Sequence, residues 1–384
     1  MRFAFSTAAK ILFGSGTLAQ VPEAAFRMGR RALVVRGGSP ERAAGLVGSL
    51  RGRGVEAVEF GVSREPTVDL VLAGAALARE HGCELVIGMG GGSVIDAGKA
   101  IAAMLGNPGD IFEYLEVIGR AQPLPEPPAP YIAVPTTAGT GAEVTRNAVL
   151  ISPEHQVKVS MRSDLMMPDL VVSDPELTRS LPPDVTASTG LDALTQLIEA
   201  LVSVRANPLT DGLCREGLQR AARSLHAACA DGTNMRARED MMLAGLFSGM
   251  ALANAGLGAV HGFAAPLGGM IDAPHGAICA RLLPIVMEAN IHALTLRDPR
   301  SPALARFDEI ARVLSEDPKA DARQGIAWVS ETCRDLRIHP LGRLGLTRDR
   351  IPVLVERAMR ASSMKGNPVA LTKEELTGII EEAL

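Results

Sequence analysis

Aromatic side chains are scarce in this chain, at 3% of 384 residues, and Lys and Arg never gather into a long run. Base-stacking platforms and a basic footprint for a phosphate backbone are thereby excluded, and the net charge of −4 agrees, so no nucleic-acid partner is expected. Cysteine is sparse too. The five present (Cys83, Cys214, Cys229, Cys279, Cys333) are odd in number, far apart and free of any Cys-x-x-Cys pair. That excludes a disulfide framework and a zinc ribbon, and fits a reducing, cytoplasmic compartment. No apolar run of signal-peptide length precedes Lys10. Residues 241–260 lack charge for 20 positions, long enough for a bilayer. They are rich in alanine and glycine and carry Ser248 and Asn254, so a helix buried among helices is the reading and no membrane contact is expected.

What the chain has in quantity is apolar residues, 47% against 21% charged, enough for a sizeable core in two or three domains. Its first half alternates β-rich runs with helical patterns. Strands are expected over 31–36 (closed by Gly37-Gly38), 55–60, 84–88, 131–135 and 169–173. Helices are expected over 41–51 and 68–80, and again through Lys99 to Met104. Such alternation implies parallel βαβ units with helices on both faces of a sheet. The proline-rich 123–130 is a surface loop. Beyond Asp174-Pro175 the strand signal fades, and 191–204, 209–230, 238–255 and 351–360 carry Ala and Leu at helical spacing. The expected organisation is an α/β domain over 1–180 and an all-helical domain over 181–384.

Two polar turns follow strands. Gly90-Gly91-Gly92-Ser93 leaves one and opens a helix, where small residues let backbone N–H groups approach a diphosphate. It is neither Gly-x-Gly-x-x-Gly nor a Walker loop, and a mere turn is the other open reading. Pro135-Thr136-Thr137-Ala138-Gly139-Thr140 leaves another, with hydroxyls that either cap a helix or meet a ligand.

Asp192 and Gln196 are four apart and share a helix face among Leu194, Leu197, Ile198 and Leu201. A carboxylate in such surroundings needs a neutralising partner. His261-Gly262 and Pro274-His275-Gly276 follow. One carboxylate and two imidazoles suit Fe²⁺ or Zn²⁺, while capping by Asp192 and structural histidines remain open. His81, His155, His226, His292 and His339 read as solvated or capping, and Cys279 as a small core residue.

Together these segments resemble the iron-containing (group III) alcohol dehydrogenase family over essentially the whole chain. The likeness rests on Phe13-Gly14-x-Gly16, Gly90-Gly91-Gly92-Ser93-x-x-Asp96-x-x-Lys99, Pro135 to Thr140 continuing to Glu143-Val144-Thr145, Gly190-x-Asp192-Ala193-Leu194-Thr195, and the two His-Gly pairs. It implies an N-terminal dinucleotide-binding domain with a parallel sheet, an all-α C-terminal domain, and a cleft between them, the architecture shared with dehydroquinate synthase-like sugar-phosphate cyclases. The implied cofactor is NAD(P)(H), its diphosphate on Gly91, Gly92 and Ser93, with Gly37, Gly38, Ser39 and Asp96 nearby and Thr136, Thr137, Thr140 and Lys158 along the ribose and nicotinamide. One divalent metal, Fe²⁺ or Zn²⁺, is implied on Asp192, Gln196, His261 and His275, of which Asp192, His261 and His275 carry the chemistry: polarising a carbonyl oxygen, or lowering an alcohol's pKa, while hydride moves to or from nicotinamide C4. The implied substrate is a small alcohol or aldehyde, and the implied assembly a homodimer through the N-terminal edge.

Three departures stand out. Gln196 occupies a position where the family usually has His, Ala265 one where many members have another His, and the first strand ends in Arg36-Gly37-Gly38-Ser39 without the usual Asp. Gln is the weaker ligand. Loss of the acid relieves repulsion of a 2′-phosphate, with Arg36 and Ser39 as candidate partners, so NADP(H) is expected at least to be tolerated. The alternatives weighed are a metal-free maleylacetate-reductase-like oxo-acid reductase, with Arg146 as a carboxylate contact, and a sugar-phosphate cyclase-like lyase.

Overall fold

The computed structural model describes residues 2–155 and 157–384. The chain divides into two compact units, Thr7–Thr137 with Gly141–Arg179, and Ser180–Leu384 with 2–6 and Ala138–Thr140. The sequence has no signal for the excursion of 138–140 into the second unit, where a single boundary near 180 was expected.

The first unit contains β1 (Ile11–Phe13), β2 (Arg31–Gly37), β3 (Glu56–Val62), β4 (Leu85–Gly90), β5 (Tyr131–Pro135), β6 (Asn147–Ser152), β7 (Val157–Arg162) and β8 (Leu170–Ser173). Six of these form a parallel sheet in the order β1-β8-β5-β4-β2-β3. Helices α1 (Val21–Met28) and α2 (Glu41–Gly52) cover one face, where Val21, Ala25, Leu46 and Leu50 meet Ala32, Val34 and Ile87. Leu33 and Val35 alternate to the opposite face and are equally buried. There α3 (Val68–Glu80) packs on α4 (Gly92–Gly106), and α4 lies on β4 and β5. Buried residues on both faces of the inner strands are what a sheet covered on both sides requires.

The antiparallel hairpin of β6 and β7 was not foreseen. Its signal is present, since the cross-strand pairs Ala148↔Met161 and Leu150↔Val159 are buried while alternate positions are not.

The second unit contains α5 (Pro183–Val202), α6 (Pro208–Ala230), α7 (Met235–Ala255), α8 (Ala259–Met270), α9 (His275–Arg297), α10 (Pro302–Ser315), α11 (Ala322–Asp335), α12 (Ile351–Arg360) and α13 (Lys373–Ala383), with no strand among its described residues. Every residue of α5 from Gly190 to Val202 is buried, because α6, α7 and α9 pack around it. The uncharged 241–260 stretch is broken between α7 and α8, which bend by 100°. Among the described residues α9 is the one unbroken helix long and apolar enough to cross a bilayer, and 67% of its apolar window is buried within the chain.

Candidate functional site

In the sheet, the chain steps outward from β2 to β3 and then returns to β4 on the other side of β2. Ligands of open α/β sheets favour the carboxyl ends of strands at such a reversal. Register pairs Arg36↔Met89 and Gly90↔Pro135 bring the turns at 37–39, 91–93 and 136–137 out of three adjacent strands at one level. Helix α4 starts at Gly92, so its unpaired first N–H groups and positive dipole end face the same ledge. A Cβ on Gly91 would stand 3.2 Å from Thr137 Cγ2, so glycine lets the two turns approach. Tyr131 sets α4 against β4, its hydroxyl donating to the Ile95 carbonyl at 3.0 Å. A Cβ at Gly98 would come within 2.7 Å of that hydroxyl.

Below the ledge, Lys99 is 1% exposed. Its ammonium donates to Ala142 O and Thr145 Oγ1 (both 2.8 Å), to Thr145 O (3.1 Å) and to Asn147 O. Asp96 lies 3.6 Å from Lys99 and accepts from the Val149 N–H at 3.1 Å. Asp96 and Lys99 thus tie α4 to the 142–149 segment. Beside them Glu143 is buried, and that burial pushes its carboxyl up to about 7. The sign follows. With a folded pKa above the unfolded value, the fold is favoured while Glu143 is protonated, and stability is lost as pH rises from about 4.5 through about 7. Glu143→Gln is therefore expected to raise the melting temperature above pH 7, with a gain of up to about 3 kcal/mol that closes toward pH 4.5. Thermal melts across pH check it, and a pH-independent difference contradicts it.

Several residues that the resemblance gives to the cofactor have protein partners. Asp96 is engaged as above. Lys158 pairs with Glu65 at 2.6 Å. Arg36 binds Glu59 at 2.9 Å and the Gly37 carbonyl at 3.1 Å. Thr136 is buried, its N–H on Gly90 O at 2.9 Å, and Thr140 belongs to the second unit.

A second cluster forms within the helical unit. Asp192, Gln196 and Glu199 fall at i, i+4 and i+7 of α5, on one face. His261 comes from α8, and His275 and Cys279, one turn apart, from α9. Helix α9 comes close to α5 because residue 276 is glycine; a Cβ there would stand 2.1 Å from the Ser188 carbonyl oxygen. One donor atom from each of Asp192, His261, His275 and Cys279 lies within 4.8 Å of the others.

Asp192 is 2% exposed, and its Oδ1 makes no hydrogen bond. His261 Nε2 stands 3.3 Å and His275 Nε2 4.0 Å from that oxygen. A buried anionic oxygen in this state is costly unless a cation faces it. Glu199 fixes the His261 ring, its Oε2 accepting from Nδ1 at 2.6 Å while Oε1 accepts from the Val260 N–H at 2.7 Å. A carboxylate there keeps a proton on Nδ1, so Nε2 is the nitrogen turned toward Asp192, and its lone pair becomes available when a cation takes the place of the second proton. Burial disfavours charge on each group, yet the net directions oppose it. Contacts with His261 and His275 hold Asp192 below the usual carboxylate range, while Cys279, Glu199 and Asp192 hold His261 well above the usual histidine range. Cys279 and Asp192 likewise raise His275. The cluster is built to hold positive charge.

Gln196 turns both ends of its amide to protein groups. Nε2 donates to Asp192 Oδ2 (3.2 Å) and Thr140 O (3.3 Å), and Oε1 accepts from Ser248 Oγ at 2.8 Å. The oxygen expected to reach a metal is thus engaged elsewhere. Cys279 is buried, as a core residue would be, but its sulfur also faces His275 Nε2 at 3.6 Å and His261 Nε2 at 3.7 Å. Sequence reading missed this cysteine and Glu199, although helical spacings of four from His275 and seven from Asp192 were there to be used. Carboxylate oxygen, imidazole nitrogens and sulfur together fit a borderline divalent ion.

A switch-point sheet with a glycine-lined ledge at its strand ends and a buried acid–imidazole cluster are the parts that a pyridine-nucleotide oxidoreductase with a metal centre requires. Comparison with known proteins names the family. Residues 8–175 match the iron-containing alcohol dehydrogenase model and 186–384 the C-terminal model of the Fe-containing alcohol dehydrogenase family, so the chain belongs to the iron-containing alcohol dehydrogenases. It is 36% identical to a 1,3-propanediol dehydrogenase of Klebsiella pneumoniae over 87% of this chain and 85% of that one. It is 38% identical to alcohol dehydrogenase 4 of Saccharomyces cerevisiae over 83% and 80%. The crystal structure of a 1,3-propanediol oxidoreductase superposes with a TM-score of 0.92 at 33% identity, covering 100% of both chains. The protein is an oxidoreductase that interconverts an alcohol and a carbonyl compound with NAD(P) and a divalent metal. Neither the metal-free oxo-acid reductase nor the lyase reading is favoured.

Proposed function

We propose that Asp192, His261 and His275 hold a zinc or ferrous ion, and that the enzyme accepts NADP(H) for the reduction of a small aldehyde or oxidation of the alcohol. The observation that carries this reading is the buried, unpartnered Oδ1 of Asp192 between two imidazole nitrogens. When bound, the cation supplies Lewis-acid stabilisation of charge developing on the substrate oxygen. The rest is the work of this chain's residues. Glu199 keeps the His261 proton on Nδ1, and Gln196 steadies Asp192 through Oδ2. The His275 side chain, 36% exposed, marks the flank by which substrate enters and the alcohol proton exchanges with solvent. With alanine at 265, no imidazole at that position relays the proton.

Backbone N–H groups of 91–93 receive the cofactor diphosphate at the start of α4. Toward the 2′-position, 37–39 offers no carboxylate, and Arg36 neutralises Glu59 on the neighbouring strand. Ser39 and the backbone, rather than Arg36, then meet a 2′-phosphate.

One experiment tests both parts. Freshly purified protein is analysed for metals and assayed with NADPH and NADH before and after chelation. About one divalent ion per chain, activity lost on chelation and restored by add-back, and kcat/KM values for the two cofactors within about tenfold are expected. Full activity without metal, or an NADH preference beyond about a hundredfold, removes the corresponding half.

A further inference from the structure

We propose that the Cys279 sulfur is the fourth protein ligand of the metal, in the place first assigned to Gln196. The inference rests on the reading of Asp192, His261 and His275 as a metal centre, and it changes the character of that centre from oxygen and nitrogen to mixed nitrogen, oxygen and sulfur.

Three independent features lead to it. The first is spacing. Around a tetrahedral ion with metal–nitrogen and metal–oxygen bonds of about 2.0–2.1 Å and metal–sulfur bonds of about 2.3 Å, nitrogen and sulfur stand about 3.5 Å apart, and nitrogen and oxygen about 3.3 Å. The observed separations are 3.6 Å and 3.7 Å from the sulfur to His275 and His261, and 3.3 Å from His261 to Asp192. The His275–Asp192 separation, 4.0 Å, is wider, and all four donor atoms lie within 4.8 Å of one another.

The second is the state of the other donors. Asp192 Oδ1 is buried with no hydrogen-bond partner, and Glu199 leaves His261 Nε2 turned inward. Both are aimed at the space the sulfur also faces.

The third is Gln196. Its oxygen accepts from Ser248 and its nitrogen donates to Asp192 Oδ2. It is a positioning residue that holds one carboxylate oxygen and so presents the other.

Coordination converts the thiol to a thiolate and releases its proton to solvent. Thiolate and carboxylate together then balance a divalent ion's charge. A soft thiolate selects Zn²⁺, Co²⁺ or Fe²⁺ over Mg²⁺ or Mn²⁺. The partly exposed edge at His275 is the side from which a substrate oxygen would approach.

The test uses the full chain, stripped with a chelator and reloaded with one equivalent of Co²⁺ or Zn²⁺. The cobalt form should show a sulfur-to-cobalt charge-transfer band in the near ultraviolet. Cys279→Ser should abolish that band and weaken cobalt binding at least tenfold, titrated with a competing chelator. X-ray absorption of the zinc form of the unaltered protein, which needs no variant, should fit one sulfur at about 2.3 Å. Stoichiometric metal with only nitrogen and oxygen neighbours and no charge-transfer band overturns the cysteine ligand and leaves the metal centre standing. Failure of the unaltered protein to retain either ion at one equivalent overturns the metal centre, and the ligand with it.

Discussion

Asp192→Asn protein is expected to leave purification with under about a tenth of the bound metal and with kcat/KM lowered by roughly a thousandfold or more. The first figure follows from replacing an anionic oxygen by a neutral amide in a cluster built to hold positive charge. The second follows because Lewis-acid stabilisation of a developing oxyanion is worth several kcal/mol, and about 4 kcal/mol is a thousandfold in rate. A third readout separates lost metal from lost fold. Saturating metal should raise the melting temperature of the unaltered protein, since an ion at about 100 times its Kd adds about 2.7 kcal/mol. The variant should keep its helical circular dichroism and lose that increment. Stoichiometric metal in the variant, with activity within tenfold of normal, would remove Asp192 from the centre.

Lys99→Met should destabilise the first unit by about 3–5 kcal/mol, the usual consequence of removing one partner from a buried ion pair. Removing the ammonium takes a donor from the Ala142, Thr145 and Asn147 carbonyls and leaves Asp96 without its counter-charge. At roughly 2–4 °C per kcal/mol for a unit of this size, the melting temperature should fall by roughly 6–20 °C. Because Lys99 ties α4 to the 142–149 segment, KM for the dinucleotide should rise as well. The double variant Lys99→Met with Asp96→Asn should recover part of the stability, since Asn still accepts from the Val149 N–H and no lone charge remains. A single variant as stable as the parent would show that the buried ammonium contributes nothing net.

Much of this architecture was legible in the sequence because its signals are local. The β2 strand and the Gly90–Ser93 turn announce themselves by branched aliphatics running into glycines, and α3 and β5 begin and end where their patterns do. What stayed hidden depends on partners far along the chain. Lys99 looks like a helix-surface lysine until residues 142–147 fold over it. Gln196 looks like a substituted ligand until Ser248, 52 positions on, is seen to hold its oxygen. Cys279 reads as a small apolar residue because nothing in a helix's own spacing tells whether a sulfur faces leucines or imidazoles. Glu199 was missed for the opposite reason. It sits seven residues from Asp192 on the same face, and that row of acids was readable.

Glu199 has one carboxylate and two clients. One oxygen steadies the His261 ring, and the other closes the first turn of α8 through Val260. Taking away the imidazole therefore strands an acid oxygen in the interior, and taking away the acid frees the ring and uncaps a helix at once, whereas trading Cys279 for a residue of similar size leaves no backbone group bereft. The donors are unequal in how freely descendants of this chain can exchange them. Position 261 is bolted to the scaffold, and position 279 is where the identity of the captured ion can drift without the protein coming apart.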